Sequence, residues 1–466
     1  MPPAFGRPDI MDRISIGPLK LGTPVVPNSM DLSPPKSLPK TRTNEWKARK
    51  PQSFANGLVH PGIIHTMESD HESENNSELQ EEEEEQTIQD PKVVTKYKTA
   101  SEITNRALKM AVDACVVGAS IRDICTRTDE YIEAECAKVY RSAGAGAAHE
   151  GETIIKGIAF PTCISVNNVA AHFSPVDADE DRVLRDGDVC KIDLGSHIDG
   201  FVATGAHTVA LGECTGRKAD VILAAHKAAE CAMKMLKPGA KSYDISLAIA
   251  KIAAAYHVTP LEGVLSHQMK QYIMDGNKVI MNRPTIEAHS EPCEIEENEV
   301  YCLDIVMSTG EGKAREAEQR ANVFKRALEQ NYNLKMKTAR AVFTELNQRF
   351  PSLPFNVRSL RTPNPRMGLS EMISHGMLTM MPVLAERDGE IVAQFKMTCL
   401  VMASQTHRIT GTALAAPAFT SQYTVTDPDV LRALATSTKK KKKSAAKKEE
   451  AAPAAAAAAA PKSESA

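Results

Sequence analysis

Hydrophobic residues recur every three or four positions at the start of the central region, which is the spacing of an amphipathic helix. A first helix is predicted from Ser101, as its N-cap, to about Val117. A second helix follows and has an apolar face made by Ile121, Ile124, Cys125, Ile132 and Cys136. The central region is therefore expected to begin with two packed helices.

Runs of alternating apolar residues then predict strands, over residues 164–173, 189–194 and 201–211. Asp199 and Gly200 lie between the last two strands and predict the turn of a hairpin. Further helices are predicted over residues 220–236, up to Tyr256 and over 338–350. Further strands are predicted over residues 264–273, 300–306 and 391–402, so the region mixes helices and strands throughout.

Two segments of the chain occur twice in related form. Residues 187–194 and 298–305 each combine an acidic residue, a valine and a strand that carries an aspartate, Asp193 or Asp304. Residues 118–124 and 239–245 share a Gly-Ala pair followed by Asp-Ile. The order of the copies predicts two related α+β halves about a pseudo-twofold axis. Paired carboxylates that face each other in this way are typical of metal or acid–base sites.

The composition is that of one large globular domain with charged ends. Hydrophobic residues make up 42% of the 466 residues, which is enough for a core. We expect a disordered N-terminal extension at 1–92, whose acidic arm Glu68–Asp90 has 11 acidic residues and no Lys or Arg, a folded region at 93–411, and a C-terminal segment at 412–466 that ends in a disordered Lys/Ala tail. Ten scattered cysteines without a C-x-x-C pair favour a reducing compartment, and no apolar run has the length of a membrane span.

Several motifs of the folded region resemble, in the same order, those of type 2 methionine aminopeptidases. They are Phe160-Pro161-Thr162, Ser165-x-Asn167-Asn168, Ala171-His172, Lys191-Ile192-Asp193-x-Gly195 and Glu299-Val300-Tyr301. The resemblance extends from about Val93 to Ile409. It implies the pseudo-symmetric α/β pita-bread fold of those enzymes, which would account for the internal repeat.

This resemblance also implies a site for two divalent metals with five protein ligands, which together generate a hydroxide nucleophile. Position by position, the ligands fall on Asp193, Thr204, His267, Asp304 and Lys396. Asp193 and His267 match, Asp304 stands for a glutamate, and Thr204 and Lys396 replace carboxylates. His172 matches the substrate-side histidine, and we interpret it as a hydrogen-bonded residue of the cleft rather than a catalyst.

Lys396 is the strongest argument against a metal site in this chain. At about 4 Å and an effective dielectric constant near 20, an ammonium repels each unit of metal charge by roughly 4 kcal/mol. We therefore expect Lys396 to replace the metals and to pair with Asp193 and Asp304, in a catalytically inactive pseudo-enzyme without a cofactor. Two alternatives stay open: a purely structural salt bridge, and an active metalloaminopeptidase with a degenerate site at Asp193, His267 and Asp304.

A second set of motifs is similar to the proliferation-associated, ErbB-receptor-binding proteins, whose fungal members are called curved-DNA-binding proteins. It comprises residues 93–98, 215–220, 263–271, 308–313, 334–340 and the lysine-rich tail. This resemblance implies a protein without peptidase activity that binds the large ribosomal subunit and ribosomal RNA and acts in subunit biogenesis or translation. A DNA-binding regulator is the alternative. We expect the protein in the cytoplasm and the nucleus or nucleolus and, without coiled-coil heptads, as a monomer.

Basic residues are concentrated at 313–366, a segment with 12 Lys or Arg and 4 Glu that we call the basic insert. Basic side chains neutralise phosphates, and the aromatic residues between them could stack on unpaired bases, although some of these aromatics must belong to the core. The residues predicted to contact RNA are Arg315, Arg320, Lys325, Arg326, Lys335, Lys337 and Arg340 in the insert and Lys439, Lys440, Lys441, Lys442 and Lys443 in the tail. The alternatives are a solvated helix face over core aromatics and a tail that only aids solubility.

Overall fold

The structure of the protein, a computed structural model, covers most of the region predicted to fold. It describes residues 86–141, 154–284, 291–414 and 419–436, which all belong to one compact unit, residues 81–466. The acidic arm up to Glu85 and the tail lysines Lys439, Lys440, Lys441, Lys442 and Lys443 lie outside the described residues. The disorder and the RNA contacts expected there stay predictions.

The first helix begins earlier than predicted, at Pro91 rather than after Ser101. The side chain of Asp90 accepts a hydrogen bond from the Lys92 N–H, and proline is favoured in the first turn because it has no N–H to satisfy. Ser101 lies inside the helix, where its hydroxyl donates to the Lys98 carbonyl. Residues 86–92 therefore belong to the folded body rather than to the disordered extension, and Ile88 is buried.

Within the described residues, the helices are α1 (Pro91–Ala114), α2 (Ile121–Lys138), α3 (Arg217–Met235), α4 (Ser242–Ala255), α5 (Lys337–Arg349), α6 (Pro365–Ser374) and α7 (Pro428–Ala435). Short 3₁₀ turns lie at Ala178–Glu180 and Val357–Ser359. The helices predicted at 220–236 and 338–350 are confirmed as α3 and α5.

The strands of the first half are β1 (Lys156–Val166), β2 (Val169–Ala171), β3 (Val189–Ile198), β4 (Phe201–Ala210) and β5 (Cys214–Thr215). Those that follow are β6 (Thr259–Pro260), β7 (Leu265–Met269), β8 (Val279–Met281), β9 (Val300–Ser308), β10 (Arg315–Glu316), β11 (Val323–Arg326), β12 (Phe355–Asn356), β13 (Leu378–Met381), β14 (Leu384–Ala385), β15 (Val392–Val401), β16 (Thr406–Arg408) and β17 (Phe419–Thr420). The strand predicted at 164–173 is interrupted, because Asn167 has a φ of +54° and turns the chain between β1 and β2.

One large sheet organises the fold, with strand order β1-β3-β4-β15-β9-β7-β8, β16 paired with β15 and β6 with β9. Helices α1 and α2 pack on its first half, and α3 packs on β9 and β15 and against α4. Each half has its own hydrophobic cluster between helices and sheet. The mixed α/β architecture is the one predicted. None of the helices in the described ranges is long and apolar enough to cross a membrane.

The predicted internal repeat is visible in the backbone. The turn before α2 has Gly118 at φ +88°, and its N–H donates to the Leu184 carbonyl at 2.8 Å. The turn before α4 has Gly239 at φ +82°, and its N–H donates to the Ile295 carbonyl at 2.9 Å. Equivalent turns therefore tie equivalent helices to the segments that lead into β3 and β9, the strands of Asp193 and Asp304.

The pseudo-twofold axis passes between β4 and β15, at the pair Ala206 and Lys396. On one side of this pair, the Thr208 hydroxyl donates to the Gln394 carbonyl and accepts from the Gln394 N–H. On the other side, the Thr398 hydroxyl makes the same two bonds with Thr204. Thr204 is therefore the symmetry counterpart of Gln394, and Ala206 is the counterpart of Lys396.

The basic insert folds into α5 and a small sheet of order β12-β11-β13. Helix α6 continues beyond Arg366, the last residue of the insert, and β13, which completes the sheet, follows it. A buried ion pair joins the insert to the first half, with Arg358 Nη2 2.6 Å from Asp129 Oδ2. Arg349 and Arg361 pair with Glu133, on the same helix. The insert is thus bound to α2 through charge.

The C-terminal segment lies over the helices of the second half. Ser421 donates a hydrogen bond to Asp220 of α3 at 2.5 Å, and Lys251 of α4 pairs with Asp427 at 3.0 Å. Apolar residues of the segment, among them Val425 and Val430, join the cluster around α3 and α4. The described part of residues 412–466 is therefore an integral part of the fold.

We expect Gly200→Ala to destabilise the protein by about 2–3 kcal/mol. Gly200 turns the β3–β4 hairpin at φ +73°, and an added Cβ would lie 2.4 Å from the Tyr272 ring. Gly118→Ala is the matched control, because Gly118 has φ +88° but no atom within 4 Å of the added Cβ. Urea unfolding would measure both. Equal losses would show that the contact with Tyr272 has no influence.

Candidate functional site

Four residues stand side by side on neighbouring strands at the centre of the sheet. Asp193 on β3 pairs with Ala206 on β4, Ala206 pairs with Lys396 on β15, and Lys396 pairs with Asp304 on β9. Side chains at one level of neighbouring strands point to the same face of a sheet. The strand order therefore brings together two aspartates from the two halves and one lysine between them.

The Lys396 ammonium lies between the two aspartates, as predicted. Its Nζ is 2.5 Å from Asp193 Oδ2 and 3.1 Å from Asp304 Oδ2. The three side chains are only 11%, 12% and 16% exposed, in the order Lys396, Asp193, Asp304. The ammonium also lies 5.1 Å from the centre of the Phe160 ring, which covers it. The two halves thus share one buried cation.

Gln394 completes this ion cluster. Its side-chain amide donates to Asp304 Oδ1 at 2.9 Å and, more weakly, to Asp193 Oδ2 at 3.4 Å. Its symmetry counterpart Thr204 is too short for this role, and within the described structure Asp193 Oδ1 has no hydrogen-bond partner. Asp304 is therefore better satisfied than Asp193, although the two occupy equivalent positions.

Burial and charge oppose each other in the cluster. Burial raises the pKa of Asp193 to about 6, although Lys396 acts against this shift. Burial would lower the pKa of Lys396, but the carboxylates of Asp193 and Asp304 raise it well above its ordinary value. Lys396 therefore stays protonated at neutral pH, while two carboxylates compete for one cation.

The other predicted site residues lie near the ion cluster without joining it. The Thr204 hydroxyl lies 3.2 Å from Cys302 Sγ, and His267 Nδ1 lies 3.3 Å from the Gly276 carbonyl. His172, at φ +68°, has its Nδ1 2.9 Å from the Pro382 carbonyl. Burial lowers the pKa of His172, so its ring is neutral at pH 7. This hydrogen bond agrees with the predicted role of His172 in the cleft.

The arrangement does not fit a pair of divalent metals. The space between the two aspartates holds the Lys396 ammonium, at contact distance from both carboxylates. Among the described residues, no group of three or more His, Cys, Asp or Glu side chains is placed to hold a metal ion. The Thr204 side chain, which adjoins this space, is a hydroxyl rather than a carboxylate and brings no charge to offset that of a divalent metal.

Many basic residues of the insert are already paired within the molecule. Arg320 and Arg366 approach Asp177 and Glu180, and Lys325 Nζ lies 2.6 Å from Asp275 Oδ2. Arg326 donates to the Pro351 carbonyl and lies over the Phe343 ring. The predicted RNA contacts at Arg320, Lys325 and Arg326 therefore compete with bonds inside the fold.

The remaining predicted residues face solvent. Arg315, Lys335 and Lys337 are exposed and form no ion pair within the described structure. Arg340 is exposed as well, but its guanidinium donates to the carbonyls of Leu334 and Lys335 and so fixes the start of α5. Lys335, Lys337 and Arg340 thus form a basic corner at this helix start.

The idea that the insert's aromatic residues stack on bases is wrong for most of them. Phe324, Phe350 and Phe355 are at most 4% exposed and belong to the hydrophobic core of the first half. Phe343 lies beneath Arg326, and Tyr332 stacks on His375 with 3.5 Å between ring centres. The alternation of basic and aromatic residues is that of an amphipathic surface over a core.

Two residues at the centre of the sheet, Gln394 and Ala206, were not predicted to belong to the site. Gln394 lies two positions before Lys396 on β15, so strand alternation alone places both on one face. Ala206 is small, and its place opposite Asp193 follows from the hairpin register. Both could have been found by extending the predicted hairpin and strand residue by residue.

We expect Lys396→Ala to destabilise the protein by about 3–5 kcal/mol, because it leaves two buried carboxylates without a cation. The loss should be larger at pH 8 than at pH 5. A carboxyl with a folded-state pKa above its unfolded-state pKa, as at Asp193, stabilises the fold at low pH and loses that contribution as pH rises. Urea unfolding at the two pH values would measure this.

Moving the ammonium from β15 to β4 tests whether one cation on the pseudo-twofold axis serves both aspartates. Ala206→Lys/Lys396→Ala moves the ammonium to the symmetry counterpart, which pairs with Asp193 as Lys396 pairs with Asp304. We expect the double variant to recover roughly half or more of the stability lost in Lys396→Ala. Ala206→Lys alone is the control for crowding. A double variant no more stable than Lys396→Ala would contradict the axial position of the cation.

Comparison with known proteins identifies the family and the fold of this chain. The model of metallopeptidase family M24 matches residues 95–320. The chain is 44% identical to ErbB-3 binding protein 1 of Solanum tuberosum over 366 residues, which are 78% of this chain and 92% of that protein. It is 36% identical to the curved DNA-binding protein of Schizosaccharomyces pombe over 361 residues, 76% of this chain and 92% of that protein.

Among solved structures, that of a thermophilic Arx1 has a TM-score of 0.69 and 26% identity, and the match covers 75% of this chain and all of that one. The methionine aminopeptidase of Archaeoglobus fulgidus is 32% identical over 243 residues, which are 52% of this chain and 79% of that protein. The predicted pita-bread fold is thereby confirmed. The chain belongs to the family of ErbB-3 binding and proliferation-associated proteins, which is related to the metallopeptidases of family M24.

Proposed function

We propose that this protein is an aminopeptidase-like protein without peptidase activity, in which Lys396 takes the place of the metals. The observation that carries this proposal is the ammonium between Asp193 and Asp304. A metal that entered would have to expel a buried, charged side chain and bind beside it. The runner-up, a peptidase with a degenerate site at Asp193, His267 and Asp304, is disfavoured because the Lys396 ammonium already pairs with both of the aspartates that such a site needs.

The proposed role is binding to the large ribosomal subunit and its RNA, in subunit biogenesis or translation. The family resemblance supports this role, and the name of the Schizosaccharomyces pombe relative supports nucleic-acid binding. The exposed basic corner at Lys335, Lys337 and Arg340 offers phosphate contacts without breaking internal ion pairs. The tail lysines Lys439–Lys443 would add affinity, and we propose residence in the cytoplasm and the nucleus or nucleolus.

Metal titration tests the first part of the proposal. We expect no heat of binding when Mn²⁺ or Co²⁺ is added to the natural protein. Lys396→Glu/Thr204→Asp should bind the metal, because it restores carboxylates at both replaced positions. Lys396→Gln is the control, since it removes the ammonium without adding a carboxylate. Tight, stoichiometric binding by the natural protein would favour the aminopeptidase alternative.

RNA titration tests the second part. Lys335→Ala/Lys337→Ala should weaken binding of a ribosomal RNA fragment and reduce the slope of log affinity against log salt by roughly 1.5. Lys109→Ala/Arg387→Ala, which removes two exposed and internally paired residues outside the insert, is the matched control and should change the slope less. Fluorescence anisotropy between about 50 and 200 mM salt would measure both. Equal effects would place the RNA elsewhere, and stronger binding of curved duplex DNA would favour the DNA-binding alternative.

A further inference from the structure

A short loop helps to cover the ion cluster, and the tip and the base of this loop are held by different contacts. The β7–β8 loop, residues 270–278, belongs to the second half and contacts the basic insert, which is paired with α2 of the first half. Met274 of this loop packs against Phe160, Cys163 and Val323. Phe160 lies directly over the Lys396 ammonium. The loop therefore closes the apolar layer above the ion cluster.

An ion pair joins the tip of the loop to the insert just outside this layer. Lys325 Nζ on β11 lies 2.6 Å from Asp275 Oδ2, and the two side chains are 27% and 55% exposed. Lys325 is two positions after Val323 on its strand, and Asp275 follows Met274 directly. The apolar contact and the ion pair thus join the same two segments, the loop and β11, the first in the interior and the second nearer the surface.

The base of the loop is held more firmly than its tip. The Tyr272 N–H donates to the Gly200 carbonyl at 2.9 Å, Gln271 donates to the Asp199 carbonyl at 3.0 Å, and Ser352 donates to the Tyr272 carbonyl at 2.6 Å. At the tip, Gly276 bonds, among the described residues, only within its own hairpin, to Gln268 and His267, and Ile273 is 43% exposed. The tip contacts the insert through Met274, which also packs on the cluster of Leu353, and through the Lys325–Asp275 ion pair.

The insert itself is fixed on the opposite side. Its Arg358 pairs with Asp129 at 2.6 Å, and these two side chains are only 9% and 6% exposed. A partly exposed ion pair is weak and is screened by salt, whereas a buried pair is costly to break. The weakest junction over the cleft is therefore the one between Lys325 and Asp275.

We propose that the tip of the β7–β8 loop is a lid over the cleft and that the Lys325–Asp275 pair is its latch. Opening of the latch lifts Met274 from Phe160 and Cys163 and uncovers the layer above Lys396, while the insert keeps its place on α2. This inference is independent of the proposed binding to RNA. It concerns only access to the cleft and does not depend on which molecule enters the cleft.

The thiol of Cys163 reports on the lid, because it belongs to the covered layer and is 2% exposed. N-ethylmaleimide would be added to the native protein, and labelling of each cysteine would be followed by peptide mass spectrometry. Asp275→Asn should increase the labelling rate of Cys163 roughly two- to fivefold. Cys231, buried in α3 and remote in the fold, is the internal control for global unfolding and should label as before.

Two further variants and one condition sharpen the test. The exchange Lys325→Asp/Asp275→Lys should restore the slow rate, and Glu311→Gln, which breaks an exposed pair with Arg387, should leave it unchanged. In the natural protein, high salt should increase the labelling rate of Cys163 but not that of Cys231. The lid proposal would be overturned if Asp275→Asn left the labelling rate of Cys163 unchanged. It would also be overturned if the labelling rates of Cys163 and Cys231 rose equally.

Discussion

The buried contact of one ammonium with two carboxylates is the constraint on which the centre of this molecule depends. Removing three charged groups from water costs several kcal/mol each, and only close mutual contact can offset that cost. Lys396 makes this contact because β15 lies between β4 and β9 and because Ala206 leaves space beside it. The two halves are therefore coupled by a charge of the second half, Lys396, whose counterpart in the first half is the uncharged Ala206.

The cluster also shows how a symmetric scaffold becomes asymmetric without changing its backbone. The Thr208–Gln394 and Thr398–Thr204 hydrogen bonds are equivalent, yet the side chains at the equivalent positions differ in length and charge. Gln394 reaches Asp304, whereas Thr204 turns to Cys302. The result is one well-satisfied aspartate and one whose pKa burial raises.

The basic insert illustrates why net charge is a poor guide to a binding surface. Its arginines pair with acids of the first half, at Asp129, Glu133, Asp177 and Glu180. These pairs hold the insert in place and leave a smaller basic surface, concentrated at the start of α5. A segment that looks like a nucleic-acid-binding stretch by composition is thus largely a structural element.

Local patterns predicted the elements well, and the family resemblance predicted the ion pair of Lys396. The repeat around Asp193 and Asp304 was readable because each copy is contiguous in sequence. The pairing of Arg358 with Asp129 was not, because the partners are 229 residues apart and meet only through the fold. The start of α1 was missed because Pro91 and Asp90, rather than Ser101, supply the first turn.

A cation that is covalently part of the chain differs from a bound one in its supply. It is made with the polypeptide, is present in every copy, and cannot be removed by a chelator or exchanged for a competing ion. The integrity of this centre should therefore be indifferent to metal starvation or excess. The pairing of Lys396 with Asp193 and Asp304 itself requires no metal ion from the surroundings.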